Sequence, residues 1–416
     1  MQFIKLDEGV VSRLGFIKER FVYGLIFLFP IAGVGVRHWF SSIFSILVLM
    51  SFWDMVKPGV RAKLFREEKI WLWLCAGFFL TYLMSSIANG WTDTQTHYFG
   101  KDVRFLVAVP LYLMLRTYQH AWRYLLAGLM LAAVFIAGQA YYETMMLGKF
   151  RATGVYSPNL LGPVAALVAA WLLASWRQWA WQRWLIPMLV LAALWAVVMS
   201  GSRGAYLGAV AMCLAWSLMY FRGRWRILPV VLVLLAPLFA YQASETLSTR
   251  VNVAVFEVDE YFRQLGEGKH YLEGNGWRLE MWRAGWVVFK DNPVIGIGRG
   301  NYHEAVKPYV EQGLFDSKVA DSGHAHNAYI DILMARGLIG FVVFLGMLFY
   351  PLYYFFRTRH LSHDTALFGI LHIVGFAVFS ITDASTFIKG NFIAIYLVCM
   401  CVFFSHHVAV VKKKET

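Results

Sequence analysis

Long apolar segments recur along almost the whole chain, and each is close to the length needed to cross a bilayer. A helix crosses about 30 Å of hydrocarbon with roughly 20 residues. Twelve such segments follow one another, separated by polar or charged stretches. They are residues 21–36, 39–56, 70–88, 102–118, 121–142, 158–176, 184–200, 203–221, 227–243, 327–356, 364–384 and 390–411. The pattern predicts an all-α integral membrane protein with about 12 transmembrane helices.

The composition agrees with a chain whose surface largely faces lipid. Hydrophobic residues make up 59% of the sequence and charged residues 15%, whereas soluble domains contain about 45–50% and 25%. Soluble, disordered and disulfide-stapled classes are therefore excluded. All the cysteines lie inside apolar segments and are interpreted as small core residues rather than disulfides or metal ligands. They are Cys75, Cys213, Cys399 and Cys401.

The net charge of +13 is interpreted as a signal for membrane orientation rather than for nucleic-acid binding. Twelve spans place both termini on one side, where 21 Lys and Arg residues fall in the short connections. The opposite short loops hold seven, namely Arg37, Lys101, Arg104, Lys149, Arg151, Arg203 and Lys389. The positive-inside rule thus predicts cytoplasmic termini. The charged N-terminus has no small-residue cleavage site, so we expect the first span to remain as an anchor.

One connection is far longer than the others and divides the chain into three parts. Residues 1–243 hold spans one to nine, residues 244–326 form a large outer loop, and residues 327–416 hold spans ten to twelve. Apolar residues at helical spacing predict two amphipathic helices in the loop, at 251–265 and 276–289. Aromatic-rich helices of this kind usually lie in the membrane interface.

Two clusters of cations on the predicted outer face suit a phosphate ligand. Arg203 lies in a Gly-Ser-Arg-Gly turn at a predicted helix start, where backbone N–H groups favour anions. Arg278 lies on the second amphipathic helix, and Arg299 follows within the Gly-rich run at 291–302. The simpler alternative is that these arginines snorkel or contact anionic headgroups.

A third cluster, His324-Ala325-His326-Asn327, lies where the chain enters span ten. A neutral imidazole at a helix N-terminus is suited to act as a general base. Capping or a metal site are the alternatives, but histidine ligands on a helix favour i,i+4 spacing, and the chain contains no Asp-x-Asp. We therefore expect neither a metal nor another cofactor.

Three segments together resemble the bacterial O-antigen ligase and polymerase superfamily: GSRGAYLG at 201–208, residues 276–302, and HAHNAYIDILMARGLIG at 324–340. Members are multi-span inner-membrane proteins with one large periplasmic loop before a late span. The resemblance implies transfer of a polysaccharide from undecaprenyl diphosphate to a sugar hydroxyl of lipid A-core, without nucleotide or metal.

The resemblance also implies roles for individual residues. The essential arginines of the family match Arg203 and Arg278, as diphosphate ligands, and its essential histidine best matches His326 as the base. The spacing does not rank His324 against His326. The predicted supporting residues are His324, Asn327, Arg299, Arg104 and Arg151.

Two other functions remain open on the sequence alone. A polymerase of repeat units would share the donor and the chemistry but would use a second lipid-linked repeat as acceptor. A transporter of lipid-linked oligosaccharide would also have about twelve spans, although transporters usually carry ionisable residues near the midplane. Here the charges gather at the predicted outer rim, which favours an enzyme at the periplasmic face of the inner membrane. Its expected partners are the two glycolipids and membrane lipids, with no nucleic acid.

Overall fold

A computed structural model describes residues 8–55, 64–179, 181–243, 245–271 and 273–415. Within these ranges the chain is helical and contains no β-strand. The helices are α1 (Glu8–Gly35), α2 (Trp39–Met55), α3 (Arg66–Ala88), α4 (Asp93–Leu115), α5 (Ala121–Tyr141), α6 (Pro158–Ser175), α7 (Leu185–Ser200), α8 (Arg203–Tyr220), α9 (Ile227–Ala243), α10 (Glu245–Gly266), α11 (Gly274–Asp291), α12 (Tyr302–Glu311), α13 (Ser317–Ala320), α14 (Ala328–Thr358), α15 (His363–Thr382), α16 (Ser385–Ile388) and α17 (Gly390–Glu415).

Each predicted apolar segment coincides with one of these helices. Among the described residues, six helical segments are long and apolar enough to cross a membrane. They are Arg66–Ala88, Ala121–Met146, Pro158–Gln178, Ala328–Thr358, His363–Thr382 and Gly390–Glu415. The all-helical, membrane-spanning class is thus confirmed, while the count of twelve spans stays a prediction. Several cations counted toward the cytoplasmic side (Lys5, Lys57, Arg61 and Lys63) lie outside the described residues.

The apolar core is centred on α6 and α17. In each helix, 83% of the most apolar 18-residue stretch is buried. Both helices are almost wholly apolar on every face, as expected for helices surrounded by others. All four cysteines are free, as predicted; Cys75, Cys399 and Cys401 are buried and Cys213 is partly buried.

The segment between α9 and α14 folds around a small core of its own. Both predicted amphipathic helices are present, as α10 and α11, and the shorter α12 and α13 follow them. Met281, Val288, Tyr302 and Val306 are buried in this core together with Met334 of α14. The small core therefore fixes the segment against the start of α14, where the paired histidines lie.

A break in α14 attaches the Gly-rich run to the helix. Gly337 has φ 61° and ψ −167°, which interrupts the helix. Backbone N–H groups of Ile297 and Gly298 donate to the carbonyls of Met334 and Ala335 at 3.1 and 3.0 Å. In return, the N–H of Leu338 donates to the Pro293 carbonyl at 2.8 Å. The run at 293–298 thus supplies hydrogen bonds that the interrupted helix cannot make itself.

A buried ion network lies beside this break. Asp102 of α4 is fully buried and pairs with Arg299 through one carboxylate oxygen and with Arg336 through the other. Arg336 also donates to the carbonyl of Phe78 at 2.6 Å. The arginines are 5% and 2% exposed, so neither is solvated. The network joins α3, α4 and α14 to the Gly-rich run.

Replacing Asp102 with Asn is expected to destabilise the protein by about 3–5 kcal/mol, because it leaves two buried guanidinium groups without their carboxylate. Thermal unfolding of detergent-purified protein measures the effect. Asp93→Asn, an exposed site on the same helix, is the matched control and should cost no more than about 1 kcal/mol. Equal melting temperatures for the two variants would contradict the assigned role of the network.

Candidate active site

A cavity of about 250 Å³ lies where the start of α8, the start of α11 and the end of α15 meet. Its lining includes Arg151, Arg203, Arg278 and Asp383. Three arginines against one carboxylate make the cavity electropositive, so it is suited to an anionic ligand.

Arg203 is presented at the first turn of α8. Gly201 ends α7 in the left-handed conformation, with φ 57°, and Ser202 precedes the new helix. A side chain at position 204 would place a Cβ only 2.2 Å from Thr382 Oγ1, so glycine is required for the close approach of α8 to α15. This packing places Arg203 beside the end of α15, at the positive end of a helix dipole.

One nitrogen of Arg203 is held by the loop segment. Its Nη1 donates to Asn275 Oδ1 at 2.6 Å and lies 3.5 Å from Glu257 Oε2. The same Glu257 oxygen accepts from the backbone N–H of Asn275 at 2.9 Å. The Arg203 side chain remains 45% exposed. The guanidinium group of Arg203 is therefore oriented by α10 and α11, while much of it stays accessible.

Arg278 reaches the cavity from the second turn of α11. Its Nη1 donates to the Thr382 carbonyl at 3.3 Å. Burial lowers the pKa of Arg278, and the nearby Asp383 carboxylate partly opposes that change. Arginine nonetheless stays charged at neutral pH because its ordinary pKa is above 12.

Arg151 joins the other two arginines from the loop between α5 and α6. Its Nε donates to the Ser200 carbonyl at 2.8 Å, and its Nη2 lies 3.4 Å from Asn159 Oδ1. The loop is fixed by Glu143, which accepts from the backbone N–H of Gly154 at 3.1 Å. The structure thus brings this predicted supporting residue into the cavity.

His326 lies just before α14 with a strained backbone, at φ 51°. Its Nδ1 is 3.9 Å from Asp383 Oδ1 and makes no hydrogen bond within the described part of the chain. Burial lowers the pKa of His326, and the neighbouring His324 lowers it further. The imidazole is therefore neutral at pH 7 and has a lone pair to accept a proton. Non-glycine residues with positive φ recur at functional sites.

His324 is arranged differently. Its Nδ1 accepts a hydrogen bond from the backbone N–H of His326 at 3.2 Å, and the two rings lie 4.1 Å apart. Burial lowers the pKa of His324 as well. A neutral imidazole has one lone pair, and in His324 that lone pair is engaged. The proton of His324 must then be on Nε2, so His326 is the better placed base.

Asn327 caps α14. Its side-chain oxygen accepts from the N–H groups of Tyr329 and Ile330 at 3.0 and 3.2 Å. This arrangement is the usual function of asparagine at an N-cap. It fixes the position at which His326 enters the site.

The other two predicted supporting residues do not line the cavity. Arg299 binds Asp102 and donates to the Phe387 carbonyl at 2.7 Å. Arg104 donates to Ser41 Oγ at 3.1 Å and to the Gly390 carbonyl. Both therefore lie outside the group formed by Arg151, Arg203 and Arg278.

Two acids of the site were not recognised in the sequence. Asp383 was counted as part of a predicted span (364–384). An acid at the outer end of an apolar segment could have indicated a functional residue. Glu257 lies on the amphipathic α10 and gave no local sign that it would meet Arg203. Within the described ranges, no group of three His, Cys, Asp or Glu side chains is spaced to hold a metal ion.

The profile of a family described as O-antigen ligase matches residues 187–345. The match covers less than half of the chain, and within it the chain is similar to O-antigen ligases. The matched range contains Arg203, Arg278 and His326, while Arg151 and Asp383 lie outside it. The resemblance seen in the sequence is thereby confirmed.

Similarity to another protein extends over more of the chain. A Haemophilus influenzae protein described as uncharacterized is 21% identical over 322 residues, which cover 74% of this chain and 79% of that protein. The O-antigen ligase domain and the six apolar helices together indicate a multi-pass membrane protein of the glycosyltransferase type.

Proposed function

We propose that this chain is an O-antigen ligase. It transfers a polysaccharide from undecaprenyl diphosphate to a sugar hydroxyl of lipid A-core, at the periplasmic face of the inner membrane. The observation that carries the proposal is that Asp383, which lines the cavity together with three arginines, lies 3.9 Å from the imidazole of His326. The matched family adds the substrate class.

The arginines would bind the diphosphate of the donor. A guanidinium group donates two parallel hydrogen bonds to phosphate oxygens and keeps its charge at any physiological pH. Arg203 and Arg278 lie on different helices, so they are able to grip the diphosphate from two sides, with Arg151 as a third donor. Positive charge here stabilises the negative charge that develops on the leaving group.

His326 would act as the base. The acceptor hydroxyl oxygen attacks the anomeric carbon, its proton passes to the imidazole, and the bond between that carbon and the phosphate oxygen breaks. The products are a new glycosidic bond and undecaprenyl diphosphate. Attack from the face opposite the leaving group inverts the anomeric centre. Asp383 is positioned to orient the His326 ring through Nδ1 and to stabilise the imidazolium.

The carboxylate of Asp383 is itself held in place. Its Oδ1 accepts from the backbone N–H of Ser385 at 2.9 Å, in the turn between α15 and α16. The separation of 3.9 Å from His326 is longer than a hydrogen bond. Catalytic hydrogen bonds are often long before substrate binds and shorten in the reactive complex.

Deleting the gene and separating the cell-surface polysaccharide on a gel tests the proposed function in vivo. Full-length chains that accumulate on the lipid carrier, with bare lipid A-core at the surface, are the expected result. Surface chains of a single repeat would instead indicate a polymerase. Undecaprenyl-linked chains retained on the cytoplasmic side would indicate a transporter.

Transfer is expected to proceed without a divalent metal, because arginines provide the positive charge at the diphosphate. Purified protein in detergent, given donor and acceptor, should keep its initial rate in EDTA. A rate that is lost in EDTA and restored by magnesium or manganese would contradict this mechanism. Wild-type protein that transfers nothing under any condition would contradict the proposed function itself.

A further inference from the structure

Four cations are connected by short contacts around the start of α2, the middle of α4 and the start of α17. We call them the outer cation cluster: Arg37, Lys101, Arg104 and Lys389. The proposed mechanism uses none of them. Arg104 and Lys101 lie one turn apart on α4, and Lys389 directly precedes α17.

Hydrogen bonds connect the members of the cluster. Arg104 donates to Ser41 Oγ at 3.1 Å and to the carbonyl of Gly390, the neighbour of Lys389. Ser41 in turn donates to Asn391 Oδ1 at 2.9 Å. The start of α2, the middle of α4 and the start of α17 are thereby joined.

Arg37 extends the cluster toward the loop that carries Arg151. Its Nε donates to the Val155 carbonyl at 3.3 Å, and Tyr156 Oη donates to the Val36 carbonyl at 3.1 Å. Phe392, two residues after Gly390, lines the arginine cavity. The cluster and the cavity are thus adjacent.

The contacts that hold these cations are with neutral groups. Arg37 and Arg104 donate to carbonyl or hydroxyl oxygens. The Nζ of Lys101 lies 2.9 Å from His97 Nε2 and 4.4 Å from the centre of the Tyr98 ring. Lys389 is exposed. These contacts do not neutralise the positive charges. The buried Asp102 carboxylate partly offsets the charge of Lys101, but Asp102 is itself paired with Arg299 and Arg336, so the cluster remains available to an anion.

One member of the cluster also acts electrostatically on His324. The positive charge of Lys389 contributes to the lowered pKa of His324, after the larger effect of burial. Lys389 follows α16, and the first residues of α16, Ser385 and Thr386, line the cavity. His324 is thus influenced both by Lys389 of the cluster and by Arg278 of the cavity.

We propose that the outer cation cluster binds phosphate groups on the headgroup of the acceptor glycolipid. This inference rests on the proposed function. If the arginine cavity holds the diphosphate of the donor, a second positive region next to the same base is positioned for the second substrate. Lysine binds phosphate as a point charge on a flexible stem, which suits a headgroup that must turn its hydroxyl toward His326. The acceptor would therefore have to be a phosphorylated glycolipid.

The test compares wild type with the double variant Lys101→Gln/Lys389→Gln, purified in detergent and then reconstituted in nanodiscs of neutral phosphatidylcholine. Initial rates give separate KM values for donor and acceptor. The acceptor KM is expected to rise about 10- to 30-fold, since each lysine near an anionic group contributes modestly, while the donor KM stays within about twofold. The matched control is Lys290→Gln/Lys307→Gln, which removes two exposed cations from α11 and α12 and should leave both KM values as in wild type.

A second arm uses acceptor treated with phosphatase. Wild type should then show the raised acceptor KM of the double variant, and the variant should show little further change. An unchanged acceptor KM in the variant, or equal use of intact and phosphatase-treated acceptor by wild type, would overturn the inference. So would a rate that depends on added phosphatidylglycerol but not on acceptor phosphate, since the cluster would then bind ordinary lipid headgroups. Transfer by wild type in the same assay keeps the proposed function separate from these outcomes.

Discussion

Replacing His326 with Ala is expected to slow polysaccharide transfer by about 10²–10⁴ while donor binding is retained. The loss corresponds to removal of a positioned general base. Donor binding is expected to persist because the proposed diphosphate ligands, Arg203 and Arg278, line the cavity from other helices. Initial transfer rates and donor affinity of the purified variant measure both effects.

His324→Ala is the matched comparison, two residues away. It removes the ring that accepts the backbone N–H of His326, so it should slow transfer less, through a looser position of the base. A dead His324→Ala with an active His326→Ala would show that the other imidazole takes the proton. Full activity of both variants would exclude a histidine base.

The pH dependence of the wild-type transfer rate tests the same role of His326. Because burial lowers the pKa of His326, the neutral form that accepts a proton persists below the ordinary histidine pKa of about 6.5. The rate should therefore hold as pH falls through 6.5 and decline only at lower pH.

Replacing Arg278 with Lys is expected to lower kcat/KM for the donor by about 10²–10³, nearly as much as replacement with Ala. Lysine keeps the charge but loses the planar fork that donates two parallel hydrogen bonds. The same result is expected for Arg203→Lys, because one guanidinium nitrogen of Arg203 also donates to Asn275. Ligation in vivo with checked expression, followed by kinetics of purified protein, measures the effect.

Lys290→Gln provides the control, because it removes an exposed cation from the same helix as Arg278. Its kinetics should equal those of wild type. Near-normal ligation by both lysine variants would mean that Arg203 and Arg278 contribute charge alone, as residues that set topology or contact lipid would do.

The sequence predicted the elements well because apolar length and helical periodicity are local properties. The predicted amphipathic segments 251–265 and 276–289 are present as α10 and α11. The break at Gly337 escaped prediction, because the hydrogen bonds that compensate it come from residues 293–298. A single span of 327–356 was the simplest interpretation of an uninterrupted apolar run.

The site was predictable to the extent that its residues carry local signals. Arg203 and the histidine pair His324 and His326 carried the signal of turns at predicted helix starts, the family resemblance favoured His326 within the pair, and Arg151 was proposed from its place on the outer face. Asp383 and Glu257 contact residues that are distant in sequence, so nothing near them in the chain indicated their partners. Arg299 carried the local signal of a Gly-rich turn, yet its partner, Asp102, comes from α4.

The ion network of Asp102 has a consequence for how the chain is made. Its acid precedes Arg299 by 197 residues and Arg336 by 234. At about 5–20 residues per second, a ribosome reaches the second arginine roughly 10–50 seconds after it has made the acid. Throughout that interval the newly inserted α4 carries a carboxylate whose pair of arginine partners is incomplete. Amino-terminal fragments that end before residue 299 are therefore expected to be degraded by membrane proteases faster than the full-length protein.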